Sequence, residues 1–339
     1  MFSYSDIRVV HLEISSRCNA ACPECPRNLR GVDIEDLGDF VVHDMTLAEA
    51  KKIFPVEFLK QLRRLYINGN YGDFVTCRDA LPIVQYFAES NPQLNIDIST
   101  NGSGQPKIWE ALGQIPRVSV GFRIDGLEDT HHLYRQYTDF NLIMSNAQKF
   151  INAGGRAMWV MIEFDFNEHQ RVEAKQRSQD MGFASFNLVN HGRNNTAVYD
   201  RDGNYQHSIG EPTHELNFTK LLDYRKIMTD RLKQNLDNHV DMLYKDTPAK
   251  EIKCQILQGR EIYVQSNGEV YPCCWIGFSP RTNVIRPGTD HTRAVLKENN
   301  ALEIGIEKSI DWFNELEKTW SIDSVANGRH YTCNETCGS

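Results

Sequence analysis

At 339 residues the chain exceeds the roughly 100–200 residues of one ordinary domain, and a single α/β barrel would absorb most of it, so one large domain with a smaller appendage is expected. A formal net charge of −8 argues against generic nucleic-acid binding, and a hydrophobic share of 40% provides the core that disordered chains lack. No apolar run reaches the roughly 18 residues of a helical membrane span, and the opening MFSYSDIRVV has no signal-peptide pattern, so the expected location is the cytosol.

In chain order, β-branched or apolar runs alternate with helical stretches. The predicted strands are IRVVHLEI (7–14), RLYIN (64–68), LNIDIS (94–99), RVSVGFRI (117–124), RAMWVMIEF (156–164) and FASFNLV (183–189). Helices are predicted near 46–62, 79–90, 106–113, 139–153 and 168–181; the first opens on TLAE, in which Thr46 and Glu49 have capping-box spacing. Six such units read as successive βαβ crossovers and a parallel sheet. Periodicity alone leaves an open barrel and a doubly wound sheet as alternatives. In both, ligands bind beyond the carboxyl ends of the strands. Residues 191–216, polar and rich in Gly and Asn, read as a loop or linker, with a helix expected over 217–238. In REIYVQSNGEVYPCC, Asn267-Gly268 between two alternating runs predicts a hairpin with a type I′ turn.

Nine cysteines in a cytosolic chain point to metal or redox chemistry. Cys18, Cys22 and Cys25, in CNAACPEC after the first strand, form C-x3-C-x2-C, one thiolate short of a closed structural zinc site. A [4Fe-4S] cube held by three cysteines keeps one iron without a protein ligand, a place for a small molecule to chelate. Pro23 and Pro26 disfavour helix in this loop, which lets the sulfurs converge.

LEISSRCNAACPEC closely resembles the signature of the radical S-adenosylmethionine (SAM) superfamily. The resemblance implies a partial (β/α)6, TIM-like barrel, over residues 1–240, and a cluster whose open iron binds the amino and carboxylate groups of SAM; one electron then cleaves SAM to a 5′-deoxyadenosyl radical. NGNYGD (68–73) resembles the segment that contacts the SAM amino group, with Asn68, Gly69 and Asp73 as the matching positions; Asp73 stands where Glu is usual. STNG (99–102) and RIDG (123–126) resemble segments lining the SAM ribose and carboxylate, which singles out Ser99, Thr100, Asn101, Arg123 and Asp125. Arg135, in HHLYRQ, matches an arginine frequent in the peptide-modifying branch. The plainer readings are helix caps for Asp73 and Asp125 and a solvated charge for Arg135.

In the last quarter Cys254, Cys273, Cys333 and Cys337 supply a complete four-thiolate set, with Gly268 and Cys273 in GEVYPC. This resembles the auxiliary-cluster appendage called the twitch domain, a shortened SPASM domain, expected over 241–339 with a β-hairpin and helix around a second [4Fe-4S] cluster. A structural zinc on the same four thiols is the competing reading. Cys274 is surplus.

The resemblance implies hydrogen abstraction from a peptide or protein side chain or a small metabolite, with an external one-electron reductant such as flavodoxin or ferredoxin. Oxidation would need a proton acceptor, for which Asp125, Glu163 and His191 are candidates at strand ends. A redox-neutral epimerisation would need a thiol donor, Cys77 or Cys274. The first strand begins near residue 7, so no leader-binding domain is expected ahead of the barrel. A non-catalytic iron–sulfur carrier and a zinc-stabilised binding module are the readings from other classes.

Overall fold

The computed structural model describes residues 1–36, 40, 42–189, 196–212, 247–278 and 289–338. Its strands are β1 (Val9–Leu12), the two-residue β2 (Asn28–Leu29) and β3 (Val32–Asp33), β4 (Arg64–Ile67), β5 (Asn95–Thr100), β6 (Val118–Arg123), β7 (Arg156–Ile162), β8 (Ser185–Val189), β9 (Thr196–Tyr199), β10 (Tyr205–Ile209), β11 (Glu261–Val264) and β12 (Val270–Tyr271). One sheet of eight strands runs β12-β11-β1-β4-β5-β6-β7-β8. From β11 to β8 every pairing is parallel, and only β12 is antiparallel to its neighbour.

This order decides between the two architectures. A doubly wound sheet reverses its strand order at a switch point, whereas here β1, β4, β5, β6, β7 and β8 follow one another without reversal. Right-handed crossovers in one direction put all the helices on one face, and the twisted sheet curls around the other. Among the described residues the edges β8 and β12 do not pair, so the barrel is open. The expected partial (β/α)6 barrel is the architecture found.

The burial pattern follows from that curl. Val10, Leu12, Leu65, Ile67, Ile96, Ile98, Val120, Phe122, Trp159 and Met161 join the apolar core with residues of the helix layer. The alternate residues face the barrel interior, and several are polar: His11, Glu13, Tyr66, Ser99, Arg123 and Asp125. The interior-facing side of the sheet is therefore more polar than its helix side.

The helix of 46–62 is two helices, α1 (Leu47–Ile53) and α2 (Val56–Gln61), because Pro55 cannot continue the first and instead precedes the second. The capping box is present: Glu49 N–H donates to Thr46 Oγ1 at 3.2 Å, and Thr46 N–H donates to the Glu49 carboxylate at 2.8 Å. The remaining predicted helices appear as α3 (Ala80–Ser90), α4 (Pro106–Gly113), α6 (Phe140–Asn152) and α7 (Arg171–Asp180), with a short α5 (His131–Tyr134) between β6 and α6.

Two expectations are corrected. The described part of the supposed linker, 196–212, contains the antiparallel hairpin β9–β10, closed around Gly203 at φ +81°. The helix expected over 217–238 lies outside the described residues. The 261–271 hairpin exists, but its turn is not type I′: Gly268 has φ +87° and Asn267 is not in the left-handed region. Gly268 N–H donates to Gln265 O at 2.9 Å, and β11 pairs in parallel with β1, so this hairpin extends the barrel sheet.

His11 illustrates what the lumen imposes. Its Nε2 lies 2.6 Å from Asn68 O, its ring packs between Tyr66 and Tyr263, and burial lowers its pKa to about 4. The folded protein keeps His11 neutral while the unfolded chain takes up a proton below about pH 6.5, so this contribution to stability is complete above pH 6.5 and is lost on acidification towards pH 4. We predict that His11→Gln flattens the fall in stability between pH 6.5 and 4 by about 3 kcal/mol, measured by denaturant unfolding at each pH.

Candidate active site

The first cysteine loop lies directly beyond the C-terminal end of β1. Cys22 is buried and packs with Ala20, Tyr134, Ile162 and Phe164, with Cys18 and Cys25 against the same cluster. Cys25 N–H donates to Cys22 O at 3.0 Å, Asn28 N–H to Cys25 O at 2.9 Å, and Asn28 Nδ2 to Cys22 O at 3.3 Å, a succession of tight turns that the two prolines permit. Arg27, almost fully buried, fixes the exit of the loop by donating to Asp33 at 2.8 Å, to Glu35 at 3.1 Å and to Ser16 O.

Two donors reach the sulfurs. Asn101 Nδ2 lies 3.9 Å from Cys18 Sγ and donates to Asn19 Oδ1 at 2.9 Å; an Arg135 terminal nitrogen donates to Cys22 Sγ at 3.5 Å. Burial first, then the nearby Asp73 carboxylate and the other two thiols, push the Cys18 pKa well above its ordinary value. Three thiolates beside a carboxylate repel one another unless a cationic group sits among them, so the donor set suits a positively charged inorganic centre.

The loop of 68–73 is pressed against this site. Glu13, fully buried, accepts Tyr71 N–H at 2.8 Å and Gly72 N–H at 2.9 Å on one carboxylate oxygen and the Tyr263 hydroxyl at 2.9 Å on the other. A Cβ on Gly72 would lie 1.8 Å from Ser15 O, and one on Gly69 would lie 2.8 Å from the Glu13 carboxylate. Glycine is required here by close backbone approach. Asn68 contributes its backbone, with N–H to Leu12 O at 3.0 Å and its carbonyl to His11.

Asp73 accepts three bonds, from Thr100 Oγ1 at 2.6 Å, Asn101 N–H at 2.8 Å and Val75 N–H at 3.1 Å. It ties the 68–73 loop to the 99–102 segment, and burial raises its pKa despite these bonds. Ser99 Oγ accepts Arg123 Nε at 2.8 Å. Asp125 accepts Ile162 N–H at 2.5 Å on one oxygen and Arg135 Nε at 2.6 Å on the other. Burial opposes the charge on Arg135, but Asp125 and Cys22 together hold its pKa above the ordinary value.

The proton-acceptor candidates are placed less favourably. Both Asp125 oxygens are committed to Ile162 and Arg135, which makes it a clamp for Arg135 instead of a free base. Glu163 is buried with its carboxylate 3.7 Å from Arg171, the first residue of α7, on the helix side of β7. Cys77 lies in the apolar core and donates to Met45 O at 3.4 Å; burial pushes its pKa to about 12, so it does not serve as an exposed thiol donor. His191 lies outside the described residues.

The β9–β10 hairpin is the part of the site that the sequence reading missed. Val198 and Ile209 pack into the Cys22 cluster, Thr196 Oγ1 donates to Glu24, Arg201 donates to Asn19 O at 3.1 Å, and a Cβ on Gly31 would meet Asp200 O at 1.8 Å. It packs against the cysteine loop.

The C-terminal thiols form a second group. Cys254, Cys273, Cys333 and Cys337 line one small apolar pocket with Trp275, Leu316 and Trp320. The bond between the Cys254 and Cys337 thiols holds the Cys254 pKa below its ordinary value and raises that of Cys337, while burial pushes Cys273 well up and Cys333 to about 12. Cys274 does not line the pocket; its carbonyl accepts Asn70 Nδ2 at 2.9 Å, joining this region to the 68–73 loop. Among the described residues no three His, Cys, Asp or Glu side chains close around a single metal ion. A further open concavity lies at the other end of β4–β7, between Arg64, Asp97, Arg117 and Arg156, and contains none of these groups.

No family model and no curated protein matches the chain. Solved structures do. SuiB of Streptococcus suis bound to the precursor peptide SuiA matches at 13% identity, over 93% of this chain and 67% of that one, with a TM-score of 0.54. A histidine-tagged anSMEcpe with bound AdoMet, which is SAM, matches at 15% identity over 93% and 81% of the two chains, TM-score 0.52. The chain shares the fold of these structures. It spans 64% of the SuiB chain in a further structure of that protein.

We predict that Gly72→Ala lowers the unfolding free energy by about 3 kcal/mol, because the Ser15 carbonyl cannot retreat without moving the cysteine loop. Gly259→Ala, whose Cβ meets only Glu261 at 3.8 Å, changes it little. Thermal and denaturant unfolding of both variants checks this.

Proposed function

We propose that this protein is a radical SAM enzyme, in which Cys18, Cys22 and Cys25 hold a [4Fe-4S] cluster with one iron open to SAM. The observation that carries the reading is the grouping of these three thiols at the C-terminal mouth of an open parallel barrel, beside the 68–73, 99–102 and 123–126 segments that resemble the SAM-binding segments of the superfamily. When bound, the cluster supplies the electron that cleaves SAM to a 5′-deoxyadenosyl radical, which abstracts a hydrogen atom from the substrate.

The protein's own residues do the positioning. Asn68, Gly69 and Asp73 shape the floor of the cofactor groove, with Asp73 fixing Thr100 and Asn101; Ser99, Arg123, Asp125 and Arg135 line the other wall. The β9–β10 hairpin covers the cysteine loop and limits access of water to it. Residues 1–240 form the barrel in this reading and 241–339 a twitch-type unit. There Cys254, Cys273, Cys333 and Cys337 hold a second, closed cluster, with no iron left for substrate, for electron transfer or as a wall of the site.

The substrate class that fits is a peptide or protein side chain or a small metabolite. SuiB is seen with a precursor peptide, and a native anSMEcpe structure that matches 97% of this chain at 15% identity, TM-score 0.50, has AdoMet bound. An external one-electron reductant such as flavodoxin or ferredoxin completes the system. The nine cysteines form no disulfide, as suits a reducing cytosol, and no helix among the described residues is long and apolar enough to cross a membrane.

The test is reconstitution with iron and sulfide, followed by SAM and dithionite, with 5′-deoxyadenosine measured. Cys22→Ala is expected to abolish SAM cleavage, whereas Cys337→Ala retains uncoupled cleavage. Wild-type protein that forms no 5′-deoxyadenosine overturns the reading, and equal loss in both variants overturns the division of labour between the two thiol sets.

A further inference from the structure

Arg135 is held more firmly than a ligand-seeking side chain requires. It follows α5 with its N–H donating to His131 O at 2.9 Å, its guanidinium lies 5.3 Å from the centre of the buried Tyr134 ring, and the neighbouring Gln136 carbonyl accepts Ala21 N–H at 3.2 Å from within the cysteine loop. The side chain is 13% exposed and that of Asp125 is 0% exposed. Nε is bonded to Asp125 at 2.6 Å, and a terminal nitrogen is aimed at Cys22 Sγ at 3.5 Å. Asp125 is itself fixed by Ile162 N–H at 2.5 Å. The chain Ile162–Asp125–Arg135–Cys22 is thus a rigid series of charge-assisted bonds that ends on a sulfur of the open thiol set.

We infer that Arg135 is a positioning residue that raises the reduction potential of the cluster held by Cys18, Cys22 and Cys25, with Asp125 limiting that effect; this rests on the functional reading above. One-electron reduction adds negative charge to the cluster and its sulfurs. An N–H donor and a cation beside a ligand sulfur stabilise that added charge, and a buried carboxylate beside the cation opposes it. In a site of low dielectric both effects are stronger than in water. The two members of the pair therefore act with opposite signs.

The opposite signs separate this role from others. A side chain that only contacts SAM would change SAM affinity and leave the potential of the SAM-free cluster alone. A side chain that only supports the loop would reduce cluster content whichever member of the pair is lost.

The test uses the reconstituted full chain without SAM, titrated with dithionite while the electron paramagnetic resonance of the reduced cluster is followed. The signal monitored is the one missing from Cys22→Ala. Arg135→Gln is expected to lower the potential and Asp125→Asn to raise it, each by about a tenfold change in the ratio of reduced to oxidised cluster, or about 59 mV for one electron. Iron and sulfide are counted in each variant, and Arg135→Lys, which keeps the charge, is expected to fall between Arg135→Gln and wild type. If Arg135→Gln fails to hold a cluster, the Asp125→Asn shift decides alone. A filled cluster whose potential is unmoved, or moves the same way in both variants, overturns the inference and leaves the functional reading standing. A wild-type protein with no cluster signal dependent on Cys22 overturns both.

Discussion

The buried carboxylate of Glu13 is the constraint on which the arrangement of the site depends. A charge withdrawn from water costs several kcal/mol unless donors replace the lost hydration, and here three do so: Tyr71 N–H, Gly72 N–H and the Tyr263 hydroxyl. Two of these donors come from the loop after β4 and the third from β11, on the other side of β1. Satisfying one carboxylate at the end of the first strand therefore requires both neighbouring strands to be in register. Burial and the Glu13 charge raise the Tyr263 pKa well above its ordinary value, so the phenol stays a donor. The cysteine loop leaves β1 a few residues later, and its starting point is set by this junction.

The same junction joins the two thiol sets. Asn70 bonds to the Cys274 carbonyl and the Tyr71 hydroxyl to the Phe278 carbonyl, so the loop that approaches the first set also holds the chain that follows Cys273. The sets differ in their surroundings. The four C-terminal thiols line one small apolar pocket, whereas the three near the start pack with Tyr134, Ile162 and Phe164, with Arg135 reaching Cys22 and Asp73 near Cys18.

Much of the barrel was legible in the sequence because its strands are buried on the helix side and carry β-branched and aromatic residues in unbroken runs. Periodicity could not supply the strand order, which depends on pairing between distant segments, and the resemblance of the cysteine motif supplied the barrel instead. The β9–β10 hairpin was hidden for the opposite reason. Only Val198 and Ile209 are buried in it, and the surrounding Asn, Asp, Gly and Gln carry the composition of a linker. Asn267-Gly268 signalled a hairpin correctly, but the longer loop needs positive φ at Gly268 alone. The partners of the acidic candidates were not legible. Asp73 and Asp125 have donors on both oxygens, and that saturation follows from the tertiary approach of Thr100, Asn101, Ile162 and Arg135, which spacing does not reveal. Glu13 lay in full view within LEISSRC, but a carboxylate in an apolar strand gives no sign of which donors will meet it.

The central claim is that the missing fourth ligand at Cys18, Cys22 and Cys25 is the place where SAM binds the cluster. It is tested most directly by reducing the reconstituted protein in the presence of SAM carrying nitrogen-15 at its amino group or oxygen-17 at its carboxylate, and recording electron–nuclear double resonance on the cluster signal. A hyperfine coupling from each label is expected in wild-type protein and none in Cys22→Ala. A wild-type spectrum identical with labelled and unlabelled SAM would contradict the claim.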